Sequence, residues 1–247
     1  MQIADLHFSV GAGPCRDPSS PCDGGAYAYT ESLVGRVLDE EQPDMVVFTG
    51  DQLNGQGTTW DAASVLAKFA APVISRRIPW AAVFGNHDSE DARESGYRRD
   101  QIRLMQGLPY SLVQAGPEDV YGVGNYVLKV WSADASKTHL LTLYFLDSGA
   151  YAAGVVDWLG FLRPTEYDYI HQSQIDWFLQ ESSMFIHNMS CINLSVFYTS
   201  GSIDPIVRPF TPDGGKDFGS IWERQQHPPI QQKLAKPNAL MFFHIPL

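Results

Sequence analysis

Four short segments, far apart in a chain of 247 residues, combine acids, an amide and imidazoles in a pattern that could hold cations: Asp5-Leu6-His7, Gly50-Asp51, Gly85-Asn86-His87-Asp88 and His244. Each follows an apolar run, respectively Met1-Gln2-Ile3-Ala4, Met45 to Thr49, Trp80 to Phe84 and Ala239 to Phe243. In open α/β sheets ligands bind beyond the carboxyl ends of the strands, so residues placed there from distant parts of the chain converge. The set mixes carboxylate and amide oxygens with imidazole nitrogens. Such donors suit Mn, Fe or Zn; Ca prefers an all-oxygen shell, and no thiolate is involved. Gly50 and Gly85 precede the polar residue at each turn, where a residue without Cβ permits a sharp bend and the close approach of a phosphoryl oxygen. A helix beginning within Ser89 to Arg93 would add N–H groups that favour phosphate. Two metal ions about 3.5–4 Å apart, bridged by one carboxylate, polarise a phosphate ester and supply hydroxide. The residues therefore predict a phosphoesterase.

Taken singly, each segment has an ordinary explanation. Asp-x-His is most often a solvated turn, Gly-Asp a plain turn, and Gly-Asn-His-Asp a helix cap. The cap explanation leaves unexplained why Asp5 and His244 also fall at strand ends. Asp147, which closes the run Leu143 to Leu146, is a further strand-end acid, expected to cap or support rather than to ligate. His139, His171, His187 and His227 lie in no comparable context and are read as structural or solvent-facing.

The elements that must position these residues alternate between helix and strand. Helical spacing predicts a helix over Tyr27 to Glu40, with Leu33, Val34, Val37 and Leu38 apolar, ending before Pro43. A second is expected over Asp61 to Ala71, capped by Thr58 or Thr59 and stopped by Pro72, and a third over Asp91 to Met105. Met45 to Thr49 and Trp80 to Phe84 read as short buried parallel strands. Val123 to Trp131 and Thr138 to Leu146 read as a hairpin. Gln172 to Ser183 is a fourth helix and Ala239 to Phe243 a last strand, while Pro205 to Pro237, rich in Pro, Gly and Gln, reads as a long surface excursion.

In order and spacing, the four segments resemble the motifs of the calcineurin-like metallophosphoesterases. Gln174 to Phe178 and Phe242 to Leu247 resemble the branch that contains dosage-dependent cell-cycle-regulator phosphatases and purple-acid-phosphatase-like proteins; Met184 to Ile203 has no match there. The resemblance implies an α/β (α+β) fold in which a two-sheet β-sandwich is flanked by helices. It implies two divalent or trivalent metal ions, Mn, Fe or Zn. Asp5 and His7 would hold the first, Asp51 would bridge, and Asn86 and His244 would hold the second. His87 would be the general acid, with Asp88 positioning it. The position where purple enzymes carry a metal-binding Tyr is Asn54, so no tyrosinate-iron chromophore is implied. The family completes its site with a Gly-His-x-His motif that the 247 residues do not contain. The expectation is thus one phosphoesterase domain over residues 1–247, lacking the start of the first strand and that C-terminal portion. Its implied activity is phosphomonoester hydrolysis, on a phosphorylated small molecule or a phosphoprotein. The alternative is a catalytically impaired or regulatory fragment that acts as a binding module.

Composition narrows the classes further. Hydrophobic residues make up 44% and charged residues 18%, which is too apolar for a disordered chain. Acids outnumber bases 28 to 17, and the net charge of −11 opposes binding to nucleic acid or to an anionic membrane. No apolar run approaches the roughly 20 residues of a membrane helix. Met1 to His7 lacks the basic start and apolar core of a secretory leader, which gives a cytoplasmic expectation. Cys15, Cys22 and Cys191 match no zinc spacing and are expected to be reduced, a Cys15–Cys22 bridge within a loop being the alternative in an oxidising compartment.

Overall fold

Side-chain alternation in the short apolar runs decides the layering. In the strand Val46–Thr49, Val46 and Phe48 enter one buried cluster while Val47 enters another on the opposite face. The computed structural model describes residues 1–11, 24–55, 61–89, 95–151, 167–184, 189–190, 194–197, 234–235 and 238–245.

In chain order the elements are β1 (Gln2–Ile3), α1 (Ala26–Glu41), β2 (Val46–Thr49), α2 (Ala62–Ser75), β3 (Trp80–Val83), α3 (Ser95–Gln106), β4 (Tyr126–Trp131), β5 (His139–Phe145), α4 (Gln172–Met184), β6 (Met189–Ser190), β7 (Leu194–Phe197), β8 (Leu234–Ala235) and β9 (Asn238–Phe242). Strands β1, β2 and β3 form a parallel sheet in that order. A mixed sheet has the order β4-β5-β9-β7, with β4 antiparallel to β5 and both other pairings parallel. Strands β6 and β8 make a separate parallel pair.

Helices α1, α2 and α3 cover the outer face of the parallel sheet. Leu38, Leu66, Phe69, Ile102 and Met105 bury themselves against Phe48 and Trp80, whose rings meet Phe69 edge to face at 4.9 and 5.7 Å. The inner face carries Val47, Ala81 and Val83, which pack on Leu143, Phe145 and Phe242 of the mixed sheet. On that sheet's far side Tyr144, Met241 and Phe243 pack against Trp177 and Phe178 of α4. The layers are helix, sheet, sheet, helix, which is the flanked sandwich expected.

Several boundaries differ from expectation. Helix α2 does not stop at Pro72 but runs to Ser75. Proline forfeits one helical N–H, yet Pro72 is buried in the core, and its own carbonyl accepts from Ser75 Oγ and Arg76 Nη1 at 3.1 and 3.0 Å. The cap of α2 is Asp61, whose carboxylate accepts from Ser64 N at 3.1 Å; Thr58 and Thr59 lie outside the described residues. Helix α3 is described from Ser95, so the phosphate-binding helix start expected over Ser89 to Arg93 falls on residues that, Ser89 apart, are outside the description. Of the stretch Pro205 to Pro237 only β8 is described, while the unmatched Met184 to Ile203 contributes β6 and the edge strand β7. No described helix is long and apolar enough to cross a membrane.

The Tyr126 side chain joins the two sheets by hydrogen bonds. The Tyr126 hydroxyl of β4 accepts from Ala82 N at 3.1 Å and donates to Ala82 O at 2.8 Å, which satisfies the exposed edge of β3 inside the sandwich. The ring stacks on Phe145 at 4.4 Å. Tyr126→Phe leaves both backbone groups buried and unpaired, so urea denaturation should show a loss of about 1–3 kcal/mol.

Candidate metal centre

Parallel pairing brings the first three segments together. Beyond the strand ends the backbone stays zipped, since Asp5 N donates to Gly50 O at 3.1 Å, His7 N to Asp51 O at 2.9 Å and Phe8 N to Gln52 O at 2.8 Å. Asp5, His7 and Asp51 all take left-handed backbone, with φ of 57, 47 and 54°. Aspartate and histidine tolerate this region better than most residues, and such conformations persist only where the surroundings fix them. The mixed sheet supplies His244 from the end of β9.

Asp51 is the hub. It is 2% exposed, and its Oδ1 accepts from His87 N at 2.8 Å. Its Oδ2 lies 3.4 Å from His244 Nε2 and 3.5 Å from His7 Nε2, so the buried carboxylate is flanked by two imidazoles. Nδ1 of His244 is 2.8 Å from Thr49 O and donates to it, which turns Nε2 toward Asp51. Asp5, Asp51 and His244 offer ligand atoms all within 4.8 Å of one another. Two carboxylates and an imidazole at this separation fit Mn, Fe or Zn.

The glycines also make room for side chains of the cluster. A Cβ on Gly50, which has φ of 102°, would run into the His244 imidazole, and a Cβ on Gly85 would meet the Asp51 carboxylate. The His244 and Asp51 side chains thus come as close to these turns as the missing Cβ atoms allow.

Charge and burial compete here. Burial pushes the Asp51 carboxyl up, but the hydrogen bond and charge of His244, the His87 N–H and the charge of His7 leave it below its usual range. Burial pushes His244 down, but Asp51 overrides this and raises it to about 9. His7 is also raised, chiefly by Asp5, 3.6 Å away. Asp88 is pushed up to about 6 by burial and by the charge of Asp51.

Asp88 does not hold the ring of His87. Its oxygens accept from Asp51 N, Gly85 N and Leu53 N at 2.8, 2.7 and 2.8 Å, so it ties the two glycine turns together around Asp51. The His87 ring meets that of His7 edge on, with centroids 4.9 Å apart. Asn86 is 5% exposed, and its Nδ2 donates to the Tyr151 hydroxyl at 3.1 Å.

Two supporting residues were not singled out by sequence reasoning. Arg98 of α3, 6% exposed, donates to Ser89 Oγ at 2.6 Å and Gly85 O at 2.7 Å and pairs with Asp147. Asp147 also accepts from Val123 N and Gly149 N at 2.8 and 3.0 Å, so the pair ties the turn after β3 to the end of β5. Arg98 and Gln101 share a buried stripe with Ile102 and Met105 at helical spacing, and polar residues on such a stripe are the sign that marks them. Tyr151 carries no comparable sign.

Residues 1–181 match the calcineurin-like phosphoesterase family. Over 179 residues the chain is 41% identical to phosphatase DCR2 of Saccharomyces cerevisiae, covering 70% of this chain and 29% of that protein. It is 37% identical over 189 residues to "Probable inactive purple acid phosphatase 29" of Arabidopsis thaliana, covering 72% and 45%. It is 33% identical over 204 residues to "Probable inactive purple acid phosphatase 28" of the same plant, covering 76% and 48%. The chain thus spans less than half the length of each of these relatives.

Because Asp51 raises His244 to about 9, the metal-free protein keeps that imidazole protonated at neutral pH. The attraction stabilises the metal-free fold fully below the ordinary histidine value of 6.5 and is lost as pH rises through about 9. It is lost again as pH falls through the lowered Asp51 value. A ligating imidazole must be neutral, so Mn²⁺ binding at pH 7.5 should release protons, and affinity should climb with pH until it levels above about 9. Calorimetry in buffers of different ionisation enthalpy measures the release. Gly85→Ala, which drives a methyl into the Asp51 carboxylate, should lower Mn²⁺ affinity at least about tenfold in the same titration.

Proposed function

The chain belongs to the calcineurin-like phosphoesterase family, and from that premise we propose that it hydrolyses phosphomonoesters at a site for two metal ions. The observation that carries this reading is the buried Asp51 carboxylate with one oxygen between His7 and His244. Asp5 and His7 would hold one ion, Asn86 and His244 the other, and Asp51 both. When bound, such ions polarise the phosphoryl oxygens and generate hydroxide near neutral pH. His87, whose main chain is fixed on Asp51, is the group that hands a proton to the leaving oxygen. Asp88 holds the turns on which Asp51 and His87 sit.

A phosphorylated small molecule or a phosphoprotein is the proposed substrate. The net charge of −11 disfavours a nucleic-acid polymer or a membrane surface as partner, and the cytoplasm is the proposed compartment. A second reading, an impaired phosphoesterase, is favoured by one observation: two of the relatives above are named as probable inactive purple acid phosphatases.

The purified chain, loaded with Mn²⁺ or with Fe and Zn, should hydrolyse p-nitrophenyl phosphate and lose this with Asp51→Asn. His87→Ala should lower kcat by about 10²–10⁴-fold on phenyl phosphate, whose leaving group needs a proton, and by less on p-nitrophenyl phosphate, whose leaving group does not. Absence of both bound metal and turnover in the wild-type chain would support the impaired reading instead.

A further inference from the structure

We infer that Tyr151 is a positioning residue for Asn86: its hydroxyl holds the amide nitrogen, so that the amide oxygen is the atom left to ligate. This rests on reading Asn86 as a ligand. A carboxamide carries O and NH₂ on one planar carbon, and only the oxygen can bind a metal ion. A half-turn about the last side-chain bond exchanges the two, and backbone placement alone does not choose between them. In the structure Nδ2 donates to the Tyr151 hydroxyl at 3.1 Å and Oδ1 lies on the other side, so that an ion on Oδ1 and the hydroxyl on Nδ2 would hold the amide plane from opposite ends.

Tyr151 is itself held firmly enough to do this. Its ring stacks on Tyr167 with centroids 5.7 Å apart and planes 19° from parallel, and the two residues form an isolated antiparallel bridge. One residue earlier, Ala150 O accepts from Asp168 N at 3.3 Å. Asp168 is buried and anchored in turn by the Tyr121 hydroxyl at 2.5 Å and by His171 Nε2 at 3.0 Å. Gly149, with φ of 78°, packs so closely beneath Asp168 that a Cβ would overlap the carboxylate, and its N–H is held by Asp147 at 3.0 Å. The loop after β5 therefore starts from the Arg98–Asp147 pair and presents one phenol hydroxyl to Asn86. Partners of metal-binding side chains that fix orientation in this way commonly contribute 10–100-fold in affinity.

Tyr151→Phe keeps the ring and its stack and removes only the acceptor. In the metal-free, isotope-labelled chain the Asn86 side-chain NH₂ signals, assigned by their loss in Asn86→Ala, should shift in Tyr151→Phe while the thermal midpoint stays unchanged. In Mn²⁺ titration the second equivalent should bind about 10–100-fold more weakly in Tyr151→Phe, with the first unaffected. In an Asn86→Ala background the same change should have no further effect, which separates orientation of Asn86 from a general loosening of the loop. Unchanged NH₂ signals, an unchanged second equivalent, or an equal loss in the Asn86→Ala background would each overturn the inference. If the wild-type chain takes up no second Mn²⁺, the two-metal reading fails, and the NH₂ signals alone decide the inference in either direction.

Discussion

An ionised carboxylate that is almost wholly buried must have positive charge or hydrogen-bond donors on every side, and Asp51 sets this demand at the centre of the molecule. One oxygen takes the His87 N–H and the other faces two imidazoles. The left-handed turns at Asp5, His7 and Asp51 aim these side chains inward, and two glycines give up their Cβ so that His244 and Asp51 can come close. Without metal, protons on the imidazoles supply the balancing charge, and a cation would replace them at the same place.

The sandwich makes this arrangement possible. Three of the four segments arrive by simple parallel register in one sheet, whereas His244 arrives from the other sheet and reaches Asp51 only because the inner faces pack together through Val47, Val83, Phe145 and Phe242. Tyr126 fastens β4 to β3 within that interface, and Arg98 with Asp147 fastens the strand ends above it. A buried ion pair adds little net stability over an apolar pair, but losing one partner costs about 3–5 kcal/mol. Its effect here is to fix how the β3 turn sits against the loop after β5.

The fold class, most elements and the family resemblance could be read from the sequence because strand-end polar residues and short apolar runs are local features. The limits of α2 could not: the sequence points to Thr58 or Thr59 as cap and to Asp61 as the first helical residue, but the cap is Asp61, and core burial of Pro72 overrides its usual role as a stop. For Asp88, proximity in sequence to His87 suggested a side-chain partnership, but three backbone N–H groups claim its oxygens once the two glycine turns lie side by side. Arg98 and Tyr151 act on residues 49 and 65 positions away in the chain, and no local pattern encodes contacts of that range.

The central claim is that Asp51 and its two imidazoles form a cation site. Anomalous diffraction from crystals of this chain grown with Mn²⁺, recorded at the manganese edge, tests it most directly. The account predicts density beside the Asp51 carboxylate within bonding distance of His244 Nε2, with Nδ1 still on the Thr49 carbonyl. A map with no manganese there, and His244 still paired with Asp51 as in the metal-free protein, would contradict it.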